Sequence, residues 1–153
     1  MPISDALAGS LPAIASTMAV AEDRWWIIGS AAVALHGADL TDVRDVDIVL
    51  SIADAARILS HLGIAPDAGA GHPDFRSRIF ATWGGAALPV EFMADFHCRS
   101  RDRWLPVQPT TRIAISGEGW TVFVPDKDEL GAILAMFGRP KDIERRRRLT
   151  ALG

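Results

Sequence analysis

Ile27-Ile28-Gly29-Ser30-Ala31-Ala32-Val33-Ala34-Leu35-His36-Gly37, followed by Arg44-Asp45-Val46-Asp47-Ile48-Val49-Leu50, is the stretch on which the fold turns. Trp25 to Ile28 is a short continuous run of bulky and β-branched residues, the pattern of a strand covered on both faces. Gly29 stops that strand, Ser30 is placed to cap a helix through Ala31 to Leu35, and Gly37 is placed to close it in the left-handed conformation. Then Val46, Ile48 and Leu50 alternate with Asp45, Asp47 and Val49, so a second strand carries two carboxylates on one edge.

Outward from this unit, Leu7, Leu11, Ile14 and Met18 recur at helical spacing and predict a surface helix from about Ser4 to Ala21. Ala55, Ile58, Leu59 and Leu62 form a second stripe, capped by Ser51 and ended by Gly63. Ala65 to Pro73 reads as a loop. Phe75 to Trp83 and Leu88 to Phe96 read as two strands joined at Gly84-Gly85, and Arg112 to Ser116 with Trp120 to Val124 as a further hairpin. Asp126 to Phe137 and a segment from Pro140 to about Leu152 finish the chain as helices, with Gly138 between them. No internal repeat and no low-complexity tract interrupts this order, so one α/β domain over residues 1–153 is expected.

Composition narrows the function classes. A chain of 153 residues, 49% hydrophobic, is the usual size of one domain. With 16 Lys+Arg against 19 Asp+Glu the formal net charge is -3, which gives no global attraction to long nucleic acid, so any such contact has to be local. Cys98 is the only cysteine, which rules out an intrachain disulfide and a cysteine-based zinc cluster and suits a reducing cytoplasm. The first stretch lacks the basic start of a secretory signal, carries Asp5 early and is broken by Pro12. No apolar run approaches the roughly 18 to 20 residues needed to span a bilayer, and no membrane role is expected.

Asp45 and Asp47, one residue apart on a strand, point to the same face about 6 to 7 Å apart. Two such carboxylates repel unless a cation lies between them, and hard oxygen ligands suit Mg²⁺ (or Mn²⁺), which takes further ligands from substrate phosphates. Glu91, a charge inside the apolar run Leu88-Pro89-Val90-Glu91-Phe92-Met93, is the candidate third ligand. Asp95, four residues on, competes with it. Gly29-Ser30 lies at a strand-to-helix turn, where free N–H groups and the helix dipole favour a phosphate.

These residues resemble the signature of the DNA polymerase β-like nucleotidyltransferase superfamily: a hydrophobic-Gly-(Gly or Ser) turn, then Asp-x-(Asp or Glu), then an acidic residue from a later strand. The resemblance implies a mixed β-sheet flanked by helices, the nucleotidyltransferase fold, and transfer of a nucleoside monophosphate, AMP from ATP or another NTP, to a hydroxyl acceptor with Mg²⁺. By position, Gly29 and Ser30 hold the triphosphate with Arg44 beside them, Asp45 and Asp47 bind metal, and Glu91 binds metal or acts as base. The ending Gly138-Arg139-Pro140-Lys141-Asp142-Ile143-Glu144-Arg145 is similar to the Lys-Asp segment of small bacterial stand-alone members and abortive-infection toxins, where Lys141 faces the phosphates and Asp142 positions it. That association with toxin–antitoxin pairs implies a protein or RNA acceptor, with a small molecule as the third choice.

The chain departs from the pattern at Thr41 and Val43, where many members carry Arg and Thr or Ser, and has Arg44 next to the first aspartate instead. No separate helical domain, with which larger members grip their acceptor, is expected within residues 1–153, so a second copy or a partner chain is one way to complete acceptor recognition. Two rival readings follow: a non-catalytic nucleotide- or partner-binding module that keeps the fold, and a metal-dependent phosphohydrolase, which no His cluster supports. Taken singly, Lys141 and Asp142 also suit a first helical turn, Arg145 to Arg148 a solvated face, His36 a helix end, His97-Cys98 a strand end, and Trp25-Trp26 core packing.

Overall fold

A computed structural model describes residues 3–40, 42–67 and 71–153. In chain order the elements are α1 (Asp5–Met18), β1 (Trp26–Ile28), α2 (Gly29–Leu35), β2 (Val46–Leu50), α3 (Ile52–Leu62), β3 (Phe75–Arg76), β4 (Ile79–Trp83), β5 (Val90–Ala94), β6 (His97–Ser100), β7 (Arg103–Pro106), β8 (Ile113–Gly117), β9 (Trp120–Val124), α4 (Lys127–Phe137) and α5 (Pro140–Thr150). The main sheet has the order β1-β2-β5-β4, with β2 and β5 parallel in the middle and antiparallel strands at both edges. It is the mixed sheet flanked by helices that the resemblance implied.

Strand alternation divides the sheet into two faces. The row Ile27, Ile48, Phe92 and Ala81 runs across all four strands and is at most 1% exposed, and it packs with Leu7, Leu11 and Ile14 of α1, Val33 of α2, Ile58 of α3 and Leu149 of α5. Each large side chain buried there contributes on the order of 1.5–3 kcal/mol. The rows on either side point the other way. Trp26, Val49, Met93 and Phe80 join a smaller cluster with Phe96, Cys98 and Ile133, whereas Ile28, Asp47, Glu91 and Thr82 form a row with two carboxylates in it. The hydrophobic face positions the sheet, and the same period-two alternation turns the acidic groups away from that core.

Several sequence expectations hold in detail. Ser51 caps α3 by accepting a hydrogen bond from the Asp54 amide at 3.0 Å, and Asp126 caps α4 through the Glu129 amide at 2.8 Å. Gly138 ends α4 at φ 69°, and Pro140 opens α5. The β8–β9 hairpin forms, with Val122 and Val124 in the main core. Trp25 and Trp26 are packing residues; Trp25 meets Phe123 edge to face and Trp26 Nε1 donates to the Thr111 carbonyl at 2.7 Å. Among the described residues no helix is long and apolar enough to cross a membrane.

Five expectations need correction. Ser30 does not cap α2: the helix begins at Gly29, Ile28 holds the cap position, and no side chain caps it. Helix α1 ends at Met18 rather than near Ala21, and α5 at Thr150. The first long strand expected after the loop, Phe75 to Trp83, is two strands broken at Ser77-Arg78, and the second, Leu88 to Phe96, is the shorter β5, after which the chain leaves the main sheet at Asp95-Phe96. Asp95 makes that exit in the left-handed region at φ 52°, which Asp tolerates better than most side chains. Outside the main sheet, β3 joins β6 and β7 in a second sheet, β3-β6-β7, and to β6 and β7 the sequence pattern assigns no element.

Candidate metal and nucleotide site

The register of β1, β2 and β5 sets the site. Ile28 pairs with Asp47, and Asp47 pairs with Glu91, so the turn at Gly29 and two carboxylates lie side by side on neighbouring strands. Asp45, just before β2, joins them: carboxylate oxygens of Asp45, Asp47 and Glu91 all lie within 4.8 Å of one another. Gly29 adopts φ +70°, and a Cβ placed on it would lie 3.1 Å from Asp47 Oδ2. Glycine therefore serves both the turn and the close approach of the carboxylate.

The donor set fits a hard divalent cation. Among the described residues none of the three carboxylates is ion-paired to a basic side chain, and Asp47 Oδ1 is buried with no hydrogen-bond partner. A buried carboxylate oxygen without a donor is costly unless something cationic faces it. Burial, then the charges of Asp45 and Glu91, raise the Asp47 pKa well above the ordinary carboxylate range, while the Arg139 guanidinium opposes the shift. Glu91 is also raised, by burial first and then by Asp45 and Asp67.

These shifts give a pH test in metal-free protein. Folded protein with raised carboxyl pKa values holds more protons than the unfolded chain between about pH 4 and the raised values, so their stabilisation declines as pH rises through that window. Asp47→Asn removes the largest part of this slope. The difference in melting temperature between variant and wild type, both in chelator, is expected to widen in favour of the variant from about pH 5 to about pH 8. Parallel pH profiles would show that the carboxyl groups do not repel in this way.

The trio lines a cleft of about 590 Å³ together with Gly29 and Ser30. The same cleft is lined by Arg44, next to Asp45 in the chain, by Arg139, Lys141 and Arg145 from the start of α5, and by two further acids, Asp42 and Asp67; Phe75, Phe80, Phe96 and Phe137 supply its apolar lining. Asp142 does not face the cavity openly. It is fully buried, accepts from Arg139 Nη2 at 3.0 Å and from the Arg139 backbone amide at 3.2 Å, and so fixes the first turn of α5. Asp95 lies at the edge of another cleft and outside the trio. His36 is the C-cap of α2, its Nε2 donating to the Pro125 carbonyl at 2.8 Å. Val43 packs against the main core, and Thr41 lies outside the described residues, as does part of the 65–73 loop.

Arg139 and Arg145 were missed. Arg145 was read as part of a solvated run, yet its side chain is 12% exposed, with Nη2 3.3 Å from Asp42 and Nε buried without a partner. The signal was helical phase: Leu149 is four residues beyond Arg145, and Asp142 three before it, so all three share the inward face of α5. Arg139 carries no such mark, because its placement depends on Phe75 and Phe137 beneath its guanidinium, at 4.9 and 5.9 Å from the ring centroids.

Known structures superpose on this architecture. A protein from Thermotoga maritima, provisionally assigned as a nucleotidyltransferase, matches with a TM-score of 0.66 and 21% identity over 92% of this chain and 90% of its own. The chain has the nucleotidyltransferase fold. An antigenic nucleotidyltransferase-like protein from Paracoccidioides brasiliensis matches at 0.55 and 15% identity, over 98% of this chain and 78% of that one. A lincosamide antibiotic adenylyltransferase, solved with lincomycin bound, matches at 0.52 and 12% identity over 85% and 87%. No family model matches the sequence, and no curated protein does.

Proposed function

We propose that the protein transfers a nucleoside monophosphate from a triphosphate, ATP first among donors, to a hydroxyl group. The observation that carries this reading is the convergence of Asp45, Asp47 and Glu91 beside the Gly29 turn, in a cleft that Arg44, Arg139, Lys141 and Arg145 also line. Support for ATP comes from the adenylyltransferase among the similar structures.

Asp45, Asp47 and Glu91 would hold Mg²⁺ or Mn²⁺, which when bound neutralises phosphate charge and polarises the phosphorus under attack. Gly29 and Ser30, at the uncapped start of α2, would receive phosphate oxygens through backbone amides. Arg44, Lys141 and Arg145 would face the triphosphate from the other side, and Arg139, locked by Asp142, would anchor that edge. The acceptor oxygen forms the new bond to the α-phosphorus, the bond from that phosphorus to the bridging oxygen breaks, and pyrophosphate leaves. Glu91 would bind the metal with the two aspartates or act as the base that takes the acceptor proton. The chain is small, and a second copy or a partner could complete the acceptor side.

Calorimetric titration of ATP in the presence of Mn²⁺ is expected to give one binding event that chelator abolishes, and α-labelled ATP should transfer label to an acceptor in a cell lysate. Binding without any labelled product would favour the second reading, a nucleotide- or partner-binding module. Val43 favours that reading, since it packs in the core where many members place a hydroxyl side chain. No binding in either condition overturns the transferase reading and nucleotide binding alike, and leaves only a partner-binding module.

Arg145 gives a narrower expectation. Its contact with Asp42 is mostly exposed on the aspartate side and is worth little by itself. Asp42→Asn should therefore leave stability within about 0.5 kcal/mol in thermal melts, and tighten ATP binding by removing one of the two carboxylates beside the guanidinium, the other being Asp142 at 3.8 Å. Weaker ATP binding in that variant would remove Arg145 from the triphosphate edge.

A further inference from the structure

The sheet edges differ in how they are protected. At β7 the free edge carries Arg103 and ends in Pro106, and at β4 the Asp67 amide donates to the Phe80 carbonyl at 2.7 Å, so neither offers a clean row of backbone groups. Strand β8 is different. It pairs with β9 along one side, and among the described residues its other side makes no backbone hydrogen bond. Its residues Ile113-Ala114-Ile115-Ser116-Gly117 include no charge and no proline, and all but the half-buried Ile115 are exposed. Ile113 is 40% exposed and lies outside the main core. An edge of this kind is a template for another strand.

The sequence along that edge is its own complement. Arg112 and Glu118 are the only charged residues between Gln108 and Val124, and they stand three residues before and three residues after Ile115. If two copies pair antiparallel about Ile115, Arg112 of each faces Glu118 of the other, Ala114 faces Ser116, and Ile113 faces Gly117. The Trp120 ring lies across Gly117, where a Cβ would come within 2.2 Å of Cζ2, so the incoming Ile113 meets an indole. Within one chain both charges lack a partner. Among the described residues neither Arg112 nor Glu118 is ion-paired, and Arg112 Nε is buried with no acceptor. The Arg112 guanidinium lies on the Phe123 ring, 3.4 Å from its centroid, and burial and the Arg24 charge lower its pKa. A cation in that position gains from a carboxylate that a partner brings.

We propose that a second copy of this chain docks here, β8 against β8 in antiparallel register about Ile115, so that the two β8–β9 hairpins become one four-stranded sheet. Neither β8 nor β9 lines the carboxylate cleft, so the pairing leaves it open and stands apart from the transferase reading. A five-residue strand is about 17 Å long, and such a pair buries less than the roughly 800 Å² per partner of a standard interface, so dissociation lies in the micromolar range.

Sedimentation velocity of the full chain at low salt, from about 1 to about 200 µM, reads the association. Wild type is expected to pass from monomer to dimer across that range. Arg112→Glu and Glu118→Arg each set like charges at both ends of the pairing and should each weaken self-association at least about 10-fold. Mixed in equal amounts, these two single variants should form a heterodimer, because each then brings the charge that the other lacks. A chain with both substitutions should self-associate as wild type does. Ile113→Lys, at an exposed position outside the core, should also weaken the dimer at least about 10-fold. Circular dichroism melts show which variants are folded. Should Arg112→Glu unfold, Glu118→Arg and Ile113→Lys, both at exposed positions, carry the test. Wild type that stays monomeric at about 200 µM, a dimer that the variants leave unchanged, or folded single variants that stay apart on mixing overturns the proposal. So does assembly beyond the dimer, since an interface of one surface with itself closes at two copies.

Discussion

Asp47→Ala is expected to eliminate metal-dependent nucleotide transfer, by roughly 10³-fold or more, while leaving the fold intact or slightly firmer at neutral pH. The first effect follows from the trio: removing its most buried member takes away several kcal/mol of charge stabilisation, and each 1.4 kcal/mol is tenfold in rate. The second follows from the cost of the same carboxylate without a cation, since Oδ1 is buried and unpartnered and two like charges lie beside it. A catalytic group whose removal stabilises is the signature of a site built for a ligand. Labelled-nucleotide assays with Mn²⁺, paired with melts in chelator and in Mn²⁺, separate the two effects. Wild type should gain melting temperature with Mn²⁺ and the variant should not. Equal Mn²⁺ stabilisation in both proteins would show that the ion binds elsewhere.

The core of that site could be read from sequence because its three acids lie on strands, where position fixes direction. Asp45 and Asp47 are two apart on one strand, and Glu91 interrupts an apolar run on another; alternation alone puts each on the face away from the main core. What alternation cannot give is register between strands separated by more than forty residues. Pairing of Asp47 with Glu91 was supplied by the resemblance to nucleotidyltransferases and appears in the parallel β2–β5 ladder.

The failures lie where direction depends on tertiary contact. Ser30 has the chemistry of a cap, but the backbone turns one residue earlier because Asp47 needs the space above Gly29, so the helix starts at Gly29. Phe75 to Trp83 reads as one strand-forming run, and nothing local announces that its first two residues pair with His97-Cys98 in a different sheet. The arginine run from Arg145 looked solvated because charge is usually exposed. Only the packing of Leu149 against the core identifies which of the four turns inward.

The buried pair at the start of α5 should give the largest loss of stability. Asp142 is fully buried, meets the Arg139 guanidinium through both carboxylate oxygens, and receives the Arg139 amide as well. Asp142→Ala leaves a partly buried guanidinium and a backbone N–H without their acceptor, and such half-removed pairs cost about 3 kcal/mol or more. For a chain of this size that is roughly 6–12 °C in melting temperature. Asp142→Asn keeps the shape and one acceptor and should lose less. The sites of damage also differ from those of Asp47: α5 carries Lys141 and Arg145 toward the cleft, so Asp142→Ala should weaken ATP binding while Asp42→Asn does not. Thermal melts on the three variants, with ATP titrations beside them, check both parts. Should Asp142→Ala melt with wild type, the pair is a surface contact in solution, and Arg139 has no fixed place at the edge of the cleft.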